Sequence, residues 1–273
     1  MIANIIRKSL TFLSFPHIFN NEVLNKKKIS THLYLREKAL KLKNKNINKL
    51  QTHSIFSNEV LNLIIKSNLK DFLRKNFIQK MFFVHNRLYL KYFLLNIHQN
   101  RKLTKLLLEN KIGNPVPYFL YKKSSGNRIR HVYHLYKYLK YNTLDTDLFI
   151  EIGGGFGCMS DILQKHTGKK NKYIIFDTEE VSLLQYYYLK NLNYNVGFNS
   201  LKYNIILVSD IKTFKSLIKK YKNKKKFLIS NWAFSELPQK LRKNLDYLFL
   251  ISDKFLISFQ NNFEDINNFN YFS

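Results

Sequence analysis

The clearest chemistry in this chain belongs to Glu151, the glycines behind it, and Asp177. The segment Glu151-Ile152-Gly153-Gly154-Gly155-Phe156-Gly157 follows the apolar run Leu148–Ile150. It reads as a buried strand that ends in a carboxylate and turns through glycines into a helix. Glycine accepts positive φ and lets a backbone approach a ligand closely, and the carboxylate is placed to pair with a cationic ligand group. The dinucleotide fingerprint G-x-G-x-x-G is not met, because Met159 and Ser160 stand where it would close. Asp177 ends a second apolar run, Lys172–Phe176. It lies at about the 20-residue spacing at which a second-strand acid meets ribose hydroxyls. Its alternative role is to cap the next helix.

Proton-transfer candidates are fewer. Glu236 follows a fourth apolar strand, at the carboxyl edge where open α/β sheets bind ligands. It is the first candidate for a general base, against a plainer role as an acid favoured by a helix dipole. His131 and His134 are alternative bases, because imidazole titrates near neutrality; each also fits a surface or core histidine. Arg128 and Arg130 are bidentate donors for a diphosphate or an acidic ligand, or solvated residues at a helix start. No metal site is expected, since no cysteine cluster or H-E-x-x-H accompanies the two histidines.

The elements that must position these residues follow from periodicity. Met159–His166 reads as a helix with Met159, Ile162 and Leu163 on one face, and Val181–Leu192 as another. Asn204–Ser209, Phe227–Asn231 and Lys254–Phe259 complete five strands. Strands alternating with helices predict an α/β fold, a parallel sheet covered on both faces. Arg128–Tyr136 predicts a helix with 129, 132, 133 and 136 on one face, leading into the sheet. Residues 1–125 predict a helical N-terminal region, and 126–273 the sheet domain. Leu61, Ile64, Ile65, Leu69, Phe72 and Leu73 recur at helical spacing, and Asn44–Asn48 is a polar break. Gly113–Pro117 and Ser124–Asn127 are breakers.

Composition bounds the function classes. The 273 residues carry a formal charge of +28, with 23 Phe and 18 Tyr. That aromatic content excludes a disordered chain. The charge points to nucleic acid or an anionic surface, or simply to a lysine- and asparagine-rich composition. The run Lys219–Lys226 reads as a solvated loop. One cysteine, Cys158, excludes an internal disulfide framework and fits a reducing, cytoplasmic compartment. It is expected as a small packed residue. Leu10–Phe15 is too short for a secretory signal, and Met81–Ile97 is too polar to span a bilayer and reads as one buried amphipathic helix.

The pattern E-x-G-x-G-x-G resembles the cofactor turn of class I S-adenosylmethionine methyltransferases. Together with Gly113-Asn114-Pro115, Ile129–Tyr136, Phe176-Asp177, Leu184–Leu189 and Ser230–Leu237, it resembles the sugar O-methyltransferases of bacterial surface-polysaccharide gene clusters, over roughly residues 110–260. The resemblance implies a Rossmann-like fold and S-adenosyl-L-methionine as donor, with a hydroxyl of a glycan or nucleotide-sugar as acceptor. It implies Glu151, Gly153, Gly155, Gly157 and Asp177 at the cofactor, with Ser209 and Asp210 beside the adenine and Asn231 at the fourth strand end. Trp232, Arg128 and Arg130 would face the substrate, and Glu236, His131 or His134 would carry the proton. A second reading rests on Asn231-Trp232-Ala233-Phe234, which has the outline of the N-P-P-Y motif of adenine methyltransferases acting on nucleic acid, without its prolines. The class I sheet has seven strands, the last two a hairpin. With five strands visible, the hairpin is expected to be missing. A truncated, inactive remnant is thus a third reading, since an uncovered edge strand is a liability.

Overall fold

The computed structural model describes residues 26–46, 53–82, 84, 87–168 and 171–272. The run Leu10–Phe15 lies outside these residues. Helices come first: α1 (Lys26–Asn46), α2 (His53–Lys66), α3 (Asn76–Phe82), α4 (Leu88–Asn96) and α5 (Arg101–Leu106). A short antiparallel hairpin, β1 (Pro117–Tyr118) and β2 (Tyr121–Ser125), leads into α6 (Gly126–Leu139). Ser125 caps α6 by accepting the Arg128 N–H at 3.2 Å.

The sheet begins with β3 (Leu148–Ile152), then α7 (Cys158–Thr167), β4 (Lys172–Phe176) and α8 (Glu179–Asn191). Next come β5 (Val196–Phe198), β6 (Ile205–Val208), α9 (Ile211–Lys219) and β7 (Lys226–Asn231). The helices α10 (Gln239–Leu245) and α11 (Tyr247–Ile251) precede β8 (Lys254–Ser258). The six strands are all parallel, in the order β5-β6-β4-β3-β7-β8. Without the edge strand β5, the sequence ranks of the rest run third, second, first, fourth, fifth, a doubly wound order compatible with a Rossmann-like fold.

Strict alternation divides the sheet between two cores. Phe149, Tyr173, Ile175, Leu207, Phe227 and Ile229 join one cluster that also holds Leu35, Ile64, Phe72 and Phe93 of the N-terminal helices. Leu148, Ile150, Ile174, Ile206 and Leu228 join Phe214, Leu245 and Leu248 on the other face. Burial of both faces explains why these strands read as continuous apolar runs.

Several expectations change. The sheet has six strands, not five: Val196–Phe198 is too short to announce itself, and Gly197 interrupts it because a Cβ there would lie 2.2 Å from the Tyr203 ring. Met81–Ile97 is not one helix; α3 ends at Phe82 and α4 begins at Leu88. The buried face of α6 is Ile129, Val132 and Leu135 at full burial, while Tyr133 and Tyr136 are half-buried against Phe93. Leu69 has φ +58 and Phe72–Arg74 forms a 3-10 turn, so the periodicity of α2 ends at Lys66. Within the lysine run, Lys226 is buried, donating to the Lys222 and Lys224 carbonyls. Where the hairpin is expected to be missing, the chain after β8 forms β9 (Asn262–Phe263), β10 (Ile266–Asn267) and α12 (Asn268–Phe272). This small hairpin pairs with itself and does not extend the main sheet. Cys158 is buried, with its thiol pushed up by desolvation, as a packed residue should be.

Candidate functional site

At the carboxyl ends of β3 and β4 the structure gathers carboxylates. Glu151 is buried and accepts the Tyr173 hydroxyl at 2.8 Å. Burial pushes its pKa up to about 8; the Tyr173 hydrogen bond opposes this and the neighbouring Asp177 adds to it. Asp177 is half-buried and accepts the Thr178 N–H and Gln185 Nε2, both at 2.8 Å. Desolvation raises its pKa to about 7, although those bonds and the Gly155 and Gly154 amides favour its anion. The capping role belongs to Thr178, whose hydroxyl accepts the Val181 N–H, and not to Asp177. Among the described residues no Lys, Arg or His pairs with Glu151 or Asp177.

Gln185, on α8, completes this group. Its Nε2 donates to the Gly155 carbonyl at 2.9 Å as well as to Asp177, which fixes the amide orientation. Its Oε1 is then buried without a hydrogen-bond partner. Two carboxyls and an orphaned amide oxygen make an acceptor-rich cluster that meets no cation among the described residues. That donor set fits a ligand with an ammonium, a sulfonium and hydroxyls, and so fits S-adenosylmethionine.

The glycine turn has the expected backbone. Gly153 and Gly155 have φ +70 and +56, and a Cβ at Gly153 would lie 2.0 Å from Ala233 Cβ. A Cβ at Gly155 would lie 2.8 Å from the Phe82 ring. The close approaches these glycines permit here are therefore to the chain itself. Gly157, φ +99, starts α7 under Leu189.

A second constellation sits one strand over. Glu151 is opposite Ile229 in the β3–β7 register, so Asn231, two residues on, faces the same side. Asn231 Oδ1 lies 2.9 Å from His134 Nδ1, and Asn231 Nδ2 lies 3.2 Å from His131 Nδ1. Ser258, at the end of β8, donates to Asn231 Oδ1 at 3.1 Å. With the amide oriented this way, His134 carries its proton on Nδ1 and keeps a lone pair on Nε2, whereas His131 accepts at Nδ1. Burial holds both imidazoles neutral: His131 well below its usual range and His134 at about 4, the Asn231 bond opposing the shift and Arg130 adding to it. Trp232 has a strained φ of +68; its ring lies 4.0 Å from the Arg130 guanidinium and 5.2 Å from the His134 ring. Among the described residues Arg130 pairs with no carboxylate.

Other predicted residues fall elsewhere. Arg128 does not face substrate: it is fully buried, bonds the Leu106 carbonyl at 2.7 Å and Asp161 at 2.8 Å, and lies 3.7 Å from Glu109. It ties α6 to α7. Glu236 ends a one-turn 3-10 helix and is exposed; among the described residues its side chain accepts one hydrogen bond, from Gln260 at 3.4 Å, and none from the histidines. Desolvation still raises its pKa. Ser209 and Asp210 line a cavity of about 250 Å³ with Lys38, Lys41 and Phe198. Asp210 caps α9 by accepting the Thr213 N–H at 2.7 Å, and Ser209 bonds Ser182 at 3.2 Å. Gln185 and Ser258 were missed as site residues. Gln185 had a signal, one helical face after Asp177, but Ser258 had none.

No protein-family model matches the chain, and no curated protein is significantly similar to it. Among the described residues no helix is long and apolar enough to cross a membrane.

Proposed function

We propose that this chain is an S-adenosylmethionine-dependent O-methyltransferase acting on a sugar hydroxyl of a surface glycan or nucleotide-sugar. One observation carries the reading: Glu151, Asp177 and the orphaned Gln185 oxygen, which meet no cation among the described residues, stand at strand ends beside a neutral imidazole cluster on the adjacent strand end. The cofactor, when bound, supplies an activated methyl group. Glu151 and Asp177 would hold its ammonium and ribose, with Ser209 and Asp210 at the adenine.

The acceptor side is built by His134, Asn231, Trp232 and Arg130. Arg130, stacked on Trp232 and without a carboxylate partner among the described residues, offers its cation to a diphosphate or acidic sugar, and Trp232 its remaining apolar face to the ring. His134 Nε2 is the group that accepts the hydroxyl proton. A low basicity does not disqualify it, because that proton becomes strongly acidic as the oxygen takes up the methyl group. Asn231 is a positioning residue, holding His134 by Nδ1.

The nucleic-acid reading needs a free Asn231 amide to grip an exocyclic amine. Both ends of that amide are engaged by histidines, which weighs against it. The test is transfer of radiolabelled methyl from S-adenosylmethionine to nucleotide-sugars, isolated glycans, RNA and DNA. Label in glycan or nucleotide-sugar supports the proposal; label confined to nucleic acid replaces it with the second reading.

A further inference from the structure

The helix α4 turns Leu90, Phe93 and Leu94 inward and leaves a second apolar line outside: Leu88 is 75% exposed, Tyr92 63% and Leu95 62%. The i, i+4, i+7 spacing puts these on one stripe. The β1–β2 hairpin tip adds Phe119 and Leu120, both exposed, and Tyr118 beside that tip lies next to Arg87 and Tyr89. Arg87, Lys91, Lys122 and Lys123 are exposed among them. Between Phe72 and Leu144 the sole acid is Glu109, which is turned inward toward Arg128.

We propose that α4 and the hairpin tip form a docking face for an anionic lipid bilayer. Contiguous exposed aliphatic side chains on a stable helix mark an interaction surface. Leucine and aromatic side chains ringed by lysine and arginine match an interface of acyl chains beneath anionic headgroups. A nucleic acid would satisfy the cations but offers nothing to Leu88, Leu95 and Leu120. A second copy would set two such basic faces against each other. The face is joined to the site already described: Tyr89 packs 4.9 Å from Tyr133, which lies 6.0 Å from His134. Docking would bring the His134 side of the molecule toward the membrane, and it stands whether or not the chain transfers methyl groups.

Sedimentation of the full chain with vesicles tests this. The chain should pellet with phosphatidylcholine vesicles that contain phosphatidylglycerol and stay in solution with phosphatidylcholine alone. The triple substitution Leu88→Ser, Tyr92→Ser, Leu95→Ser should weaken binding by about tenfold or more. The pair Arg87→Glu, Lys91→Glu should weaken it similarly with an unchanged circular dichroism spectrum, and it decides the matter if the triple variant does not fold. No binding to anionic vesicles overturns the inference, as does equal binding by parent and both variants. So does a parent dimer that the triple variant splits while vesicle binding is unchanged, or a single-stranded oligonucleotide as the ligand these substitutions release.

Discussion

The ends of β3 and β4 and the ends of β7 and β8 lie side by side but carry opposite electrostatics. The first holds Glu151, Asp177 and an orphaned Gln185 oxygen, with two carboxyl pKa values raised by burial and no cation among the described residues. The second holds two imidazoles kept neutral by burial, and an Arg130 that stacks on an aromatic ring and meets no carboxylate among the described residues. The contrast teaches a division of labour: the first half awaits positive charge and hydroxyl donors, and the second accepts a proton and attracts an anion.

The two arginines of α6 sharpen this division most. Arg128→Ala should cost about 3 kcal/mol of stability, because Glu109 and Asp161 would lose their shared buried guanidinium and Asp161 would keep only Lys165 and the Tyr194 hydroxyl; a urea titration measures it. Arg130→Ala should leave stability nearly unchanged and raise KM for an anionic acceptor. A stable Arg128→Ala protein would break the assignment. His134→Ala should next lower turnover by about 10²–10⁴ while cofactor affinity persists, read from single-turnover rates beside calorimetry. Wild-type turnover would move the proton to Glu236.

Acid titration gives a smaller effect of known sign. Glu151 and Asp177 have raised pKa values, so from the ordinary carboxylate range up to about 8 the folded chain binds more protons than the unfolded one. Their burial therefore costs stability as pH rises through that window, and a cationic ligand that lowers both values relieves the cost. Affinity for S-adenosylmethionine should rise severalfold from about pH 6 to about pH 7.5, with proton release seen as buffer-dependent calorimetric heat, and level off or fall above about pH 8, where the ligand's own α-ammonium deprotonates. His134 shifts the other way: stability falls as pH drops from about 6.5 toward about 4. Glu236→Gln should have the smallest effect, less than about threefold on turnover, because the side chain meets Gln260 rather than the imidazoles.

Much of the first region was legible in the chain. Glu151 and the glycines are contiguous, and Asp177 ends the next strand, so local pattern alone places them together. The second region was not, because Asn231 meets His134 and His131 across 97 and 100 residues, a contact that only the packing of α6 on the sheet creates. The same limit hid the fate of Arg128. Its neighbour Arg130 shares its residue type and helix, and only helical phase sends one into the core and the other to Trp232. The strand β5 escaped because three residues around a glycine carry too little apolar signal.

The most direct test is calorimetric titration of the folded parent and Asp177→Ala with S-adenosylmethionine. The parent should bind, and Asp177→Ala should bind more weakly by about 1–3 kcal/mol, the cost of lost hydrogen bonds to a charged group. No heat with the parent, or identical affinity in both proteins, would contradict a cofactor site at Glu151 and Asp177.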